Sequence, residues 1–173
     1  MQIRITRVVP MAAALLLLAL TTTAQQQQQP PCAQPEARQF DFWVGDWEVH
    51  ANGKLAGRNH ISRIHGDCTV LEEYTAASSA YEGKSFNFYD PTDGLWHQVW
   101  VDNSGLRLNL SGTFSDGHMQ LSGKRVNPKG ESVVDRITWT PNDDGSVRQF
   151  WEISKDDGET WQVGFDGLYT RVE

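Results

Sequence analysis

From Phe40 onward the chain never runs far without meeting a turn signal. Asn52-Gly53, Gly66-Asp67, Asp90-Pro91-Thr92-Asp93-Gly94, Asn103-Ser104-Gly105, Asp116-Gly117, Asn127-Pro128-Lys129-Gly130, Asn142-Asp143-Asp144-Gly145 and Asp156-Asp157-Gly158 all supply turn-forming residues. The pieces between them are strand-sized. "LRLNLSG" sets Leu106, Leu108 and Leu110 against Arg107, Asn109 and Ser111, and "HMQLSG" and "SFNFYD" alternate with the same period. A period of two marks half-buried strands. The reading gives ten: Trp43–Ala51, Leu55–His65, Cys68–Ala76, Gly83–Asp90, Leu95–Asp102, Leu106–Phe114, His118–Val126, Ser132–Thr140, Ser146–Ser154 and Trp161–Val172. Joined as hairpins they form an antiparallel up-and-down meander. Such a meander leaves two unpaired edges unless it closes, so an all-β barrel is expected. Only "PEARQFDF", Pro35 to Phe42, suits a short helical turn, which would plug one end.

Closure restricts how a second motif is read. "SKDDGETW", Ser154 to Trp161, fits the Asp-box turn known from propeller-fold carbohydrate enzymes. A propeller needs at least four four-stranded blades and a repeat of roughly 40–50 residues, and this chain has one box and too little length. The box is therefore expected to be structural: Asp156 accepting backbone N–H groups, Gly158 taking positive φ, Trp161 packing beneath.

The N-terminus carries Arg4 and Arg7 ahead of an apolar run from Met11 to Leu20 and small residues up to Ala24. That is the pattern of a secretory signal peptide over residues 1–24, followed by a low-complexity linker over 25–37 and a barrel domain over 38–173. The expected location is secreted, periplasmic or extracellular. No later stretch approaches a membrane span. Without Arg4 and Arg7, 13 basic residues face 22 acidic ones, a balance of about −9 that disfavours nucleic acid and keeps a monomer dispersed. Cys32 and Cys68, an even count in an oxidising compartment, are expected to form one disulfide; two free thiols are the alternative.

Tryptophans and glutamines recur together. Gln98 shares a strand face with Trp96 and Trp100, and Gln149 shares one with Trp151, at a sequence offset of 51. Amides among indoles suit a cavity wall that orients a ligand, and a filled core with glutamines at its margin is the competing reading. His97 and Arg148 then point to solvent. In Glu72-Glu73 the two carboxylates face opposite ways and cannot act on one bond. One faces inward and calls for a partner such as Arg63 or Arg136. The five histidines are scattered without metal-ligand spacing, and no Gly-x-Ser-x-Gly elbow is present.

Phe40-Asp41 with Gly45-Asp46-Trp47 resembles the opening of calycin barrels, the lipocalin and fatty-acid-binding-protein group. With Tyr89-Asp90, Trp100-x-Asp102 and Tyr169-Thr170-Arg171 following in order, the span from Phe40 to Arg171 resembles a family of secreted bacterial proteins of unknown function with a calycin-like barrel. Ten strands fit its fatty-acid-binding or nitrobindin branch. The resemblance implies a cavity for a small hydrophobic molecule and an Arg171 side chain lying over the Trp47 indole. In nitrobindin-like relatives a wall histidine holds haem, which makes haem the alternative to an expectation of no cofactor and no metal. Three functions remain open. One is a barrel binding a small hydrophobic or amphipathic ligand among Trp96, Trp100, Trp151 and neighbours. The second is a filled barrel contacting an envelope partner, and the third an enzyme using Glu73, Gln98, Gln149 and Tyr169 for proton transfer.

Overall fold

The computed structural model describes residues 32–172, together with Gln2. The signal-peptide segment and residues 25–31 of the linker lie outside the described residues. Two 3₁₀ turns, Pro35–Arg38 and Asp41–Trp43, precede ten strands: β1 Gly45–Ala51, β2 Lys54–Ile64, β3 Thr69–Ala76, β4 Glu82–Asp90, β5 Leu95–Asp102, β6 Arg107–Ser115, β7 His118–Val126, β8 Ser132–Pro141, β9 Val147–Ser154 and β10 Gln162–Arg171. Each strand pairs with the next, and β1 pairs with β10, so the sheet is a closed antiparallel up-and-down barrel. The first 3₁₀ turn begins inside the stretch read as linker. Its Ala37 is buried, and the Cys32–Cys68 disulfide ties it to the β2–β3 turn with the two Cα atoms 5.1 Å apart.

The plug closes one end, which we call the floor. Phe40 stacks on Trp43 at 4.9 Å between ring centroids and meets Trp96 and Trp139 edge-on at 5.5 and 5.2 Å. Beside it, the Trp47 indole donates to the Trp43 carbonyl at 2.8 Å. Rings of this size dominate the apolar area removed from water, and they make the floor the dense part of the core.

Closure is sealed where β1 meets β10. Trp47 lies opposite Arg171 in the register, and the guanidinium sits 4.4 Å from the indole centroid while donating to the Val44 carbonyl at 3.2 Å. Gly45, at φ 147°, leaves no room for a side chain, because a Cβ there would collide with Arg171. Arg171→Lys and Trp47→Phe are each expected to lower stability, with a coupling of about 0.5–2 kcal/mol in a double-mutant cycle. Strictly additive losses by chemical denaturation would show that the two side chains do not act together.

Packing under the Asp-box turn is local, as its sequence implies. Asp156 accepts the Thr160 N–H at 2.8 Å, and Ser154 Oγ accepts the Gly158 N–H at 2.8 Å. Gly158 sits at φ 99°, and Trp161 donates to its carbonyl at 3.0 Å beneath the Arg136 guanidinium. Hydrogen bonds from Thr160, first of all, hold the exposed Asp156 carboxyl down at about 2.

Candidate functional site

The turns at Asn52-Gly53 and after β3, β5, β7 and β9 gather at the end opposite the plug, and below them the barrel interior opens into a cavity of about 160 Å³. Its walls are aromatic toward the mouth, with Tyr74, Tyr81, Trp100, Trp151 and Phe165. Its base is polar: Glu72, Gln98, Gln149 and Tyr169, with Leu108 and Ile137 between them. Gly83 is what lets the Trp100 ring lie flat against β4, since a Cβ there would overlap the indole. Gly164, at the β10 bulge between Val163 and Phe165, also borders the space.

The tryptophan–glutamine face expected from sequence is present: Gln98, Trp100, Gln149 and Trp151 share the cavity. Each mouth indole is fixed by a carboxylate, Trp100 Nε1 donating to Asp102 at 3.0 Å and Trp151 Nε1 to Asp135 at 2.9 Å. His97 and Arg148 turn outward, His97 against Phe88 and Asp93 and Arg148 onto Asp166. Trp96 departs from the expectation. It belongs to the floor, where its indole donates to the Glu36 carbonyl at 3.1 Å, because β5 runs from floor to mouth and Trp96 lies four residues below Trp100.

Glu73 is a second correction. It faces solvent and pairs with Lys84, and it is Glu72 that points into the barrel, 3% exposed. The inward set on β3 is Val70, Glu72 and Tyr74. Nor is its partner an arginine. Arg63 pairs with Asp41 of the plug and Arg136 with Glu152 on the outer surface. Glu72 instead accepts the Asn59 amide N–H at 2.8 Å and the Ser85 hydroxyl at 2.6 Å. Behind Ser85, Asn87 donates to Ser85 Oγ at 2.8 Å, and Gln98 donates to Asn87 Oδ1 at 2.8 Å. On the other side Asn59 also reaches the Tyr169 oxygen at 3.4 Å, and Tyr169 donates to Gln149. Asn59, Ser85 and Asn87 were not among the residues singled out from sequence.

Ser85 and Asn87 escape the hydrophobic pattern because the inward face of β4 is inverted. In "SFNFYD" the alternation is real, yet Ser85 and Asn87 are fully buried while Phe86 is 45% exposed. On β5, Gln98 is inside and Val99 and Val101 are outside. On β5 Trp96 and Trp100 share the inward face with Gln98, but hydrophobicity alone would turn β4 the other way. It is held by register with its neighbours, and such a violation of the local rule marks a functional surface more often than a packing one.

Burial sets the chemistry of the base. It pushes the Glu72 carboxyl up to about 7, against the smaller opposing effect of the Ser85 and Asn59 hydrogen bonds. Burial, and then the Glu72 charge, also pushes the Tyr169 phenol well above its ordinary value, so it stays a neutral donor. At the mouth, burial works against the Asp102 charge, yet hydrogen bonds from Ser104, Trp100 and Tyr81 together lower its carboxyl.

Fold and site together define a closed β-barrel with an aromatic mouth and a polar, acidic base. The sequence matches no family model and no curated protein.

Proposed function

We propose that this protein is a secreted barrel of calycin type that binds a small amphipathic molecule in the mouth cavity, polar end down. The observation that carries this reading is the make-up of the cavity, with Glu72, Gln98, Gln149 and Tyr169 at its base and Tyr74, Tyr81, Trp100, Trp151 and Phe165 above them. A cavity lined in this way orients one end of a ligand and desolvates the other. Its volume sets the size class: about 160 Å³ matches an engineered cavity of 150 Å³ that takes up benzene, so a single ring or a short chain fits and a long acyl chain or haem does not. The described wall also contains no histidine to ligate haem iron. The signal-like N-terminus and the disulfide support export.

Native mass spectrometry of protein recovered from a secreting host is expected to show a small adduct. Ile137→Phe, which fills part of the cavity, is expected to reduce the bound fraction while the fold is kept. Wild type that is bare under conditions preserving the fold would count against the reading. Proton transfer by Glu72 is a second reading, favoured by its position against the cavity and its carboxyl near neutrality. It requires a substrate to be turned over, and Glu72→Gln to abolish turnover without releasing the ligand.

A further inference from the structure

Among the described residues two carboxylates, Glu72 and Asp135, are deeply buried, and of these Asp135 alone is paired with a cation. Asp135, fully buried, is bracketed by Arg125 at 2.7 and 3.2 Å and also accepts the Trp151 indole N–H. Glu72, just as far from water, has only neutral neighbours. Tyr74 and Tyr169 face it from β3 and β10, Asn59 from β2, Ser85 from β4 and Gln98 from β5. Arg125, facing inward from β7, is committed to Asp135, and Asp102 at the mouth adds a second negative charge. Among the described residues, no basic side chain lines the cavity.

The hydrogen bonds are built for an ionised Glu72. Ser85 Oγ already receives N–H groups from Asn87 and, at 3.5 Å, from Gln98, so its own proton goes to Glu72. Asn59 also gives its N–H to Glu72, leaving its buried Oδ1 unpaired. In this arrangement both contacts donate to Glu72, as an ionised carboxylate requires. The carboxylate is thus furnished with donors but lacks a counter-charge, a costly state for a buried ion. Between it and solvent stand the rings of Tyr74, Trp100, Trp151 and Phe165, and aromatic rings of this kind attract cations over their faces.

On the reading that the cavity binds a small molecule, we propose that the ligand is a small organic ammonium ion, its charged group against Glu72 and its apolar body among the mouth aromatics. The net charge of −7 favours the approach of such a cation.

Three probes of one shape, benzylamine, benzyl alcohol and benzoate, separate charge from size in calorimetric titration of the disulfide-bonded protein at about pH 8. Benzylammonium is expected to bind about tenfold or more tighter than benzyl alcohol, and benzoate weakest of the three. In Glu72→Gln the benzylamine and benzyl alcohol affinities should converge, with benzyl alcohol binding retained as the control for an intact cavity. A second measurement needs no variant: in wild type at about pH 5.5, where Glu72 is protonated and the amine is still charged, the preference should shrink by a similar factor. Benzyl alcohol binding as tightly as benzylamine would overturn the ammonium proposal and leave the binding cavity standing. An amine preference that survives both at low pH and in Glu72→Gln would likewise overturn it, by placing the cation elsewhere. Absence of binding by all three at millimolar concentration would overturn both.

Discussion

Asp135→Ala is expected to lower the unfolding free energy by about 3–5 kcal/mol, among the largest losses available from one interior substitution in this barrel. Two groups are orphaned at once. Arg125 keeps its charge in a place where its side chain is only 18% exposed, and the Trp151 indole N–H loses its acceptor. Neither regains full hydration without distorting the sheet, so the loss reflects stranded groups as well as the missing attraction. The double variant Arg125→Met/Asp135→Asn discriminates. It removes both charges, preserves an acceptor for Trp151 and keeps the volumes close, and it should cost less than Asp135→Ala alone. Equal or greater loss in the double variant, measured by denaturant unfolding, would mean that the ion pair itself stabilises the barrel. Because Asp135 also positions Trp151, Asp135→Ala should loosen the mouth wall and weaken probe binding as well.

The course of the chain was legible because turn residues mark each hairpin directly. Strands over Leu95–Asp102 and His118–Val126 are found with the bounds read from sequence, and the others shift by one or two residues. Closure was legible because an open meander leaves two strand edges unpaired, whereas the place of Arg171 over Trp47 was implied by the resemblance to calycin barrels and not by the strand pattern. The site was half legible. Gln98, Trp100, Gln149 and Trp151 could be placed on common faces by alternation alone. The Glu72 face could not. "TVLEEYTA" carries an apolar residue and a glutamate in each of its two alternating sets, so a one-residue change in register exchanges Glu72 for Glu73 with little change in apolar burial. The partners were misread for a related reason. A buried carboxylate ordinarily has a cation, so arginines were sought, while the actual donors, Asn59 and Ser85, lie on neighbouring strands at positions that look like solvent-facing polar residues. The signal for Ser85 is "SFNFYD" itself, whose alternation shows two faces without deciding that phenylalanine turns inward.

Glu72→Gln is expected to gain on wild type as pH rises, by about 3 kcal/mol between about pH 4.5 and pH 8. The sign follows from burial. In the unfolded chain this carboxyl titrates near its ordinary 4.5, and in the barrel it is pushed up to about 7. Between those values the folded state holds a proton that the unfolded chain has released, so its stability falls as pH rises, and the loss is complete above about 7. Below 4.5 both states are protonated and the contribution vanishes. Glutamine does not titrate, so the stability of Glu72→Gln relative to wild type should be flat at low pH, rise through the window and level off. Its offset at low pH reflects local hydrogen bonding, because an amide at position 72 must meet both the Asn59 N–H and the Ser85 hydroxyl. The change with pH is independent of that offset. Carboxyls whose values are lowered in the folded state, such as Asp102 and Asp156, give the opposite trend, but wild type and variant share them and they cancel in the difference. Unfolding by denaturant at a series of pH values measures it directly, and a difference that stays constant across the range would mean that Glu72 does not carry a displaced proton. The same curve bears on the ammonium ligand. An ammonium ion seated against Glu72 supplies the missing counter-charge, so benzylamine at one fixed concentration should stabilise wild type above pH 7 by more than it stabilises Glu72→Gln.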